Sequence, residues 1–137
     1  MRSESVSYGE APHRVEATVV ICGPDVSVCF GGGEAPHVGA VALGTPRSSL
    51  ADRNMPSASA SVLCVTGHKE DLLARTAAIE LAADFKCRVN VTVGLHIDGA
   101  TAEDVRLLNE NYCASLDEVK TYIGSVFYPT HEGDSNV

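Results

Sequence analysis

The chain has 137 residues, which is enough for one domain with a substantial core and too few for two. Its 18 acidic and 10 basic residues give a formal net charge of -8, which argues against non-specific binding to nucleic acid or to an anionic membrane. No apolar run approaches the roughly 20 residues that span a bilayer. Residues 1–5 lead into no signal-like segment. We therefore expect a cytoplasmic protein.

The first half of the chain predicts strands. Residues 1–14 are polar, so we expect them to be flexible. Two strand-like runs, Val15–Cys22 and Asp25–Phe30, flank Gly23-Pro24, which predicts an antiparallel hairpin. A third strand, His37–Leu43, is rich in small residues, and this indicates close packing or the close approach of a ligand.

The middle of the chain alternates between strand and helix patterns. Residues 44–56 predict a loop that is long for a compact domain and is therefore a candidate lid. Ser57–Val65 alternates with a period of two and predicts a fourth strand. Lys69–Phe85 has a broad apolar face typical of a helix packed on a sheet, and Cys87–Leu95 predicts a fifth strand.

The clearest helix begins after the cap-like Thr101 and keeps apolar residues at spacings of three and four as far as Val126. Residues 127–137 then predict a flexible tail, which leaves a single domain over residues 15–126. The order β-β-β-β-α-β-α predicts an α+β fold with a mostly antiparallel sheet and two helices on one face. Since the other face would be bare, we expect a second copy to cover it or to extend the sheet edge, giving a homodimer.

The five cysteines show no C-x-x-C pairing, and four of them lie within or beside strand-like runs. We expect buried, reduced, structural thiols rather than metal ligands or disulfides.

Three of the five histidines lie where a strand-like run gives way to a turn or a helix. Such junctions are where α/β folds place their binding residues, so the shared placement predicts a common pocket. The segments are Pro36-His37-Val38-Gly39, Gly67-His68-Lys69-Glu70 and Gly94-Leu95-His96-Ile97-Asp98.

The turn Gly67-His68-Lys69 precedes a predicted helix, whose free backbone N–H groups favour an anion. Lys69 opposes the helix dipole, and a bound phosphate would offset that effect. The alternative is that Glu70 and Asp71 already neutralise this helix start and that Lys69 points to solvent.

Arg47, with Ser48 and Ser49 beside it, could close on the same phosphate, since guanidinium groups and hydroxyls are suitable donors. The alternative is an ordinary arginine in a solvated loop.

Three imidazoles and a carboxylate, from His37, His68, His96 and Asp98, are also a credible set of metal ligands. Their spacings do not match a compact metal motif. The chain has no nucleophile elbow, Walker loop or dinucleotide fingerprint, so an enzyme interpretation lacks an evident nucleophile or base.

Three motifs taken in order resemble the LpdD-like proteins, which accompany UbiD-type decarboxylases. They are Gly32-Gly33-x-x-Pro36-His37-x-Gly39, the Gly67-His68-Lys69 helix start, and Val93-Gly94-Leu95-His96-Ile97-Asp98 followed by Thr101. The resemblance covers roughly residues 15–126. It implies a dimeric fold like that of the small proteasome assembly chaperones. It also implies an accessory protein, rather than an enzyme, that binds reduced prenylated FMN and passes it to an apo-decarboxylase.

On this resemblance the phosphate of prenylated FMN suits the turn at residues 67–69 and Arg47, and the apolar rings suit the small-residue strand over residues 38–43. The histidines would hydrogen-bond to the phosphate, the ribityl chain or the flavin edge. The predicted cofactor-binding set is His37, Gly39, Arg47, Ser48, Gly67, His68, Lys69, His96 and Asp98.

Two other functions stay open from the sequence. One is a small metal-dependent enzyme that uses His37, His68 and His96, and the other is an assembly factor for the decarboxylase that binds no cofactor.

Overall fold

The computed structural model describes residues 1–67 and 69–130, which form one six-stranded sheet with two helices. The strands are β1 (Arg2–Tyr8), β2 (Val15–Cys22), β3 (Asp25–Gly33), β4 (Ala40–Ser48), β5 (Pro56–Cys64) and β6 (Val89–His96). Helix α1 (Asp71–Phe85) lies between β5 and β6, and helix α2 (Ala102–Phe127) follows β6. No helix in this described part of the chain is long and apolar enough to cross a bilayer.

The strands lie in the sheet in the order β1-β2-β3-β6-β4-β5, and β3 with β6 forms the one parallel pair among the described strands. Strand β6 therefore joins an N-terminal antiparallel unit to the β4–β5 hairpin. The predicted α+β class, its element order after residue 14 and its mostly antiparallel sheet are confirmed.

Both helices pack on one face of the sheet. Helix α1 covers β4, β5 and β6, and helix α2 covers β1 and β2. Small residues make this approach close: a Cβ at Gly44 would collide with the carbonyl oxygen of Ala78 in α1, and Ala40 and Ala42 are fully buried. The small residues of β4 therefore serve helix packing.

Residues 1–14 are not the flexible segment predicted from their polarity. Arg2–Tyr8 pairs along its whole length with β2, and the Asn111 side chain donates to the His13 carbonyl oxygen at 2.7 Å. Because β1 is an edge strand with an exposed burial pattern, its backbone ladder orders it without the apolar residues that the prediction looked for.

Strand β4 starts at Ala40 rather than at His37, and it continues to Ser48 because its last residues pair with the start of β5. The candidate lid shrinks accordingly from residues 44–56 to residues 49–55. Helix α2 ends at Phe127, one residue beyond the prediction. The predicted tail lies mostly in residues 131–137, outside the described part of the chain.

All five cysteines are free, but they are not all buried as predicted. Cys87 is buried, and burial, with a smaller contribution from Asp25, raises the pKa of its thiol to about 11. Cys29, Cys64 and Cys113 are exposed, because strand position alone does not say which face of the sheet a residue occupies.

Candidate functional site

The loop between β3 and β4 brings His37 to the end of β6. The backbone N–H of Glu34 donates to the His96 carbonyl oxygen at 2.8 Å, which fastens the loop to that strand. A Cβ at Gly94 would collide with the carbonyl oxygen of His37. Glycine is therefore required where the loop crosses β6, and the glycines of this motif hold the histidine in place.

The carboxylate of Glu70 lies beneath this loop and is 8% exposed. Its Oε1 lies 3.0 Å from His37 Nε2 and accepts from the backbone N–H of Leu95 at 3.4 Å. His37 Nδ1 lies 2.9 Å from the carbonyl oxygen of Ala35. A Cβ at Gly39 would come within 2.5 Å of the carboxylate. Gly39 thus makes room for Glu70, and Glu70 fixes the orientation of the His37 ring.

His96 and Asp98 form a second pair beside the first. His96 Nε2 lies 2.8 Å from Asp98 Oδ1, and the Asp98 N–H donates to Glu34 Oε1 at 3.1 Å. The His37 and His96 rings lie 6.2 Å apart, centroid to centroid, and nearly perpendicular to one another. Within residues 1–67 and 69–130, no three metal-ligating side chains converge on one point.

A cleft of about 360 Å³ opens next to these pairs, between the starts of α1 and α2 and the end of β6. We call it the histidine cleft. Its lining combines a few polar side chains with a larger set of apolar ones, as in many small-molecule sites. The polar side chains are Lys69, Glu70, His96 and Asn109; the apolar ones are Leu73, Leu95, Ile97, Ala100, Val105 and Leu108; and Gly67 completes the lining.

The structure thus brings together five of the predicted residues, namely Gly67, Lys69, His96, Asp98 and His37, with Gly39 behind them. His68 lies outside the described residues.

Arg47 and Ser48 lie elsewhere. They line a separate cleft of about 420 Å³. Strand β4 has its Ala40 end beside Val93, near the histidines, and its Arg47 end beside Ser57. At about 3.3 Å per residue, Arg47 is roughly 23 Å along the strand from Ala40. Within one chain the two predicted phosphate-binding groups therefore do not converge.

The small-residue strand is not a platform for the flavin rings on the helix side, because α1 covers Ala40, Ala42 and Gly44 there.

A family model described as the prenylated flavin chaperone LpdD-like domain matches residues 9–124. The chain belongs to this family. The resemblance drawn from the three glycine-histidine motifs is thereby confirmed.

A chain from the crystal structure of a chaperone complex for yeast 20S proteasome assembly has the same fold as this LpdD-like chain. The TM-score is 0.52 at 16% sequence identity, over 91% of this chain and 98% of that one. The comparison supports the predicted fold alone. No curated protein matches the sequence.

In this LpdD-like chain the central carboxylate is one that the sequence did not single out. Glu70 was interpreted only as a charge that neutralises the start of the following helix. Its burial depends on a contact with the loop that carries His37 and Gly39, distant in sequence. The one local sign of its burial is that Glu70 directly precedes α1, where a side chain can point toward the sheet.

Proposed function

We propose that this protein binds reduced prenylated FMN in the histidine cleft and carries it to a UbiD-type decarboxylase without catalysing a reaction on it. The observation that carries the proposal is a mostly apolar cleft with a few polar side chains in its lining, found in a chain of the prenylated flavin chaperone family. A prenylated flavin matches this lining, because its prenylated ring system is largely apolar and its ribityl phosphate side chain is polar.

The apolar walls would hold the prenylated rings, and Leu73 and Leu108 are the wall residues that come from the two helices. His96 lines the cleft and would hydrogen-bond to the flavin edge. Both ring nitrogens of His37 are already engaged, by Ala35 and Glu70, so His37 would support the site from behind its lining. The pairing of these two histidines with Glu70 and Asp98 keeps each ring in one orientation before the ligand arrives, which reduces the entropic cost of binding.

The phosphate would lie at the start of α1, near Gly67 and Lys69. Among the residues that the structure describes, no side chain caps this helix, so backbone N–H groups of its first turn can donate to an anion. Lys69 is exposed, lines the same cleft and adds a charge-assisted bond. Arg47 and Ser48 do not take part in this proposal, because they lie at the other end of β4.

A second copy of the chain would cover the bare face of the sheet. Leu63 of β5 is 78% exposed there, and its neighbour on β4, Val41, is paired with it. Leu43, on the same face, is 47% exposed. Large apolar side chains grouped on an open sheet are typical of a protein interface, so we infer a homodimer through this face.

The cytoplasmic location expected from the sequence stays a prediction. Of the two other functions, the metal-dependent enzyme has little support in the described residues. His37 and His96 are each paired with a carboxylate, and no third ligand converges with them there. If the protein were a cofactor-free assembly factor, it would bind no flavin. The flavin titration described next therefore distinguishes an assembly factor from a cofactor carrier.

The test is an anaerobic titration of the protein with reduced prenylated FMN, with reduced FMN as the control ligand. Two adjacent leucines provide a matched pair of variants: Leu73 lines the cleft, whereas Leu72 is 66% exposed outside it. We expect Leu73→Gln to weaken binding about tenfold through loss of apolar contact, and Leu72→Gln to leave it unchanged. Equal affinity in both variants would contradict the site.

Delivery is tested separately by adding the loaded protein to apo-decarboxylase and following the recovery of decarboxylase activity. If the protein binds the flavin but decarboxylase activity does not recover, the binding site stands and the proposed delivery to the decarboxylase is wrong.

A further inference from the structure

The second cleft, which we call the arginine cleft, lies where the β4–β5 hairpin meets the end of α1. Its cations come from three separate elements: Arg47 from β4, Arg53 from the loop over residues 49–55, and Lys86 from the end of α1. Ser48 and Asn54 add a hydroxyl and an amide to its lining. The chain as a whole is acidic, with 18 acidic residues against 10 basic ones, so three cations around one cleft run against its composition.

These cations are not neutralised by the protein. In residues 1–67 and 69–130, none of Arg47, Arg53 and Lys86 has a carboxylate within ion-pair distance, although other arginines of the chain do. The acidic residue nearest in sequence, Asp52, directs its Oδ1 to the backbone N–H of Asn54 at 3.0 Å. The residues that line the arginine cleft include three cations and no carboxylate, which favours an anion there.

Arg47 is held in one position. Its Nε donates to Ser59 Oγ at 2.8 Å, and its Nη1 donates to the Ser48 carbonyl oxygen at 3.0 Å. These two bonds leave further N–H groups of the guanidinium available to an anion. A fixed guanidinium loses little conformational entropy when it binds, which favours a ligand with a compact charge.

Lys86 has a left-handed backbone, with φ 52 and ψ 45, at the position that ends α1. Glycine is the usual residue there because a side chain is strained in this conformation. A lysine at this position offsets the negative end of the helix dipole, which no basic residue in the last turn of α1 does. That dipole amounts to roughly half a charge, which is less than the full charge of Lys86.

We propose that the arginine cleft binds a phosphate monoester, held by Arg47, Arg53 and Lys86. Phosphate fits this set better than a carboxylate does, because it carries up to two charges and accepts hydrogen bonds in several directions from donors that lie around it. Because the cofactor phosphate is proposed to lie at the start of α1, the ester bound here belongs to a separate phosphorylated molecule. The two clefts share no lining residue, so this inference does not depend on the histidine cleft.

The experiment is a titration of the isotope-labelled full chain with inorganic phosphate, followed by the backbone amide signals of Ser48, Asn54 and Lys86. We expect saturable shifts at these residues. Arg53→Gln and Lys86→Gly should each weaken phosphate binding about tenfold, the loss expected for one charge-assisted bond. Arg75→Gln is the matched control, because Arg75 is exposed and outside the cleft, and it should bind phosphate as the wild type does.

Lys86→Gly also separates a ligand role from a structural one. Replacing a left-handed lysine by glycine relieves backbone strain, so its Tm should stay the same or rise by a few degrees while phosphate affinity falls. Absence of shifts at the cleft, or an equal loss of affinity in Arg75→Gln, would overturn the proposal.

Competition identifies the source of the phosphate. If reduced prenylated FMN displaces inorganic phosphate and its dephosphorylated form does not, the ester is that of the cofactor, and the phosphate position proposed at the start of α1 is wrong. If neither displaces it, a second phosphorylated ligand uses the cleft. Both outcomes support a phosphate site, and cofactor binding to the wild-type protein is measured independently of either.

Discussion

The carbonyl oxygen of His37 occupies the space in which a Cβ of Gly94 would lie. This contact joins the loop before β4 to β6, and the position of His37 over Glu70 depends on it. We expect Gly94→Ala to destabilise the fold by about 2 kcal/mol or more, because the clash is with backbone that cannot rotate away. Chemical denaturation gives the free energy of unfolding. Gly124→Ala in α2 is the matched control: that site has room for a methyl group, so we expect about 0.5–1 kcal/mol of stabilisation.

Replacing Glu70 by glutamine removes a buried charge and keeps an acceptor for the Leu95 N–H. We expect a loss of about 1–3 kcal/mol of stability, since the charge-assisted contact to His37 is replaced by a neutral one. Glu80→Gln breaks a more exposed pair with Lys120 and should cost less than about 1 kcal/mol. Denaturation midpoints of the two variants provide the comparison. A smaller loss for Glu70→Gln than for Glu80→Gln would show that the buried pair does not stabilise the loop.

The lowered pKa of Asp104 predicts that the folded state loses stability in acid. A hydrogen bond from His13, with further bonds from Thr101, lowers the pKa of this carboxyl to about 2. Because its pKa in the unfolded chain is about 3.9, the carboxylate stabilises the folded state above that pH. The stabilisation is lost as the pH falls from about 4 to about 2. Unfolding measured across this range should therefore depend less steeply on pH in Asp104→Asn than in the wild type. Asp117→Asn, on the same helix, controls for the change in net charge.

Leu63→Lys should convert the proposed homodimer to a monomer of 14.4 kDa without unfolding it, because it places a charge on the bare sheet face, where the second copy would pack. Leu50→Lys is the control, since Leu50 is 92% exposed in the loop over residues 49–55, away from that face. Light scattering gives the mass and circular dichroism the fold. A wild-type protein that is already monomeric at micromolar concentration rules out the interface.

The thiols should differ in reactivity. We expect alkylation at pH 8 to modify the exposed Cys29 and Cys113 quickly and Cys87 slowly, since burial holds the Cys87 pKa near 11 and keeps its thiolate scarce. Mass spectrometry of peptides from the folded protein gives the order. Cys87 reacting as fast as Cys113 would contradict its burial.

Local patterns explain which parts of the fold could be predicted. The capping residue Thr101 and the apolar spacing behind it are contained in one continuous segment, so the start of α2 was found from the sequence. Strand β1 was missed because a polar edge strand is ordered by backbone pairing that its side chains do not reveal.

The site could be predicted only in part for a different reason. The segments around His37 and His96 converge because β3 and β6 run parallel and the loop after β3 crosses the end of β6. The sequence places Arg47 in a predicted loop over residues 44–56 and gives it to the same phosphate because a guanidinium is a suitable donor. The first residues of that predicted loop instead continue β4 to the opposite end of the sheet. The direction and length of the strands decide both that His37 and His96 converge and that Arg47 lies apart from them. These features depend on pairing partners that are distant in sequence.

The central place of β6 also sets the order in which the molecule can assemble. The β1–β2–β3 unit and the β4–β5 hairpin are each made of neighbours in sequence, so each can form while the chain is still being synthesised. They do not pair with each other, and only the later strand β6 joins them. The histidine cleft, which is lined by the end of that strand and by α2, is therefore completed only when the sheet has closed and α2 has packed on it. Cofactor affinity in this protein should appear only in the fully folded chain and should serve as a direct readout of completed folding.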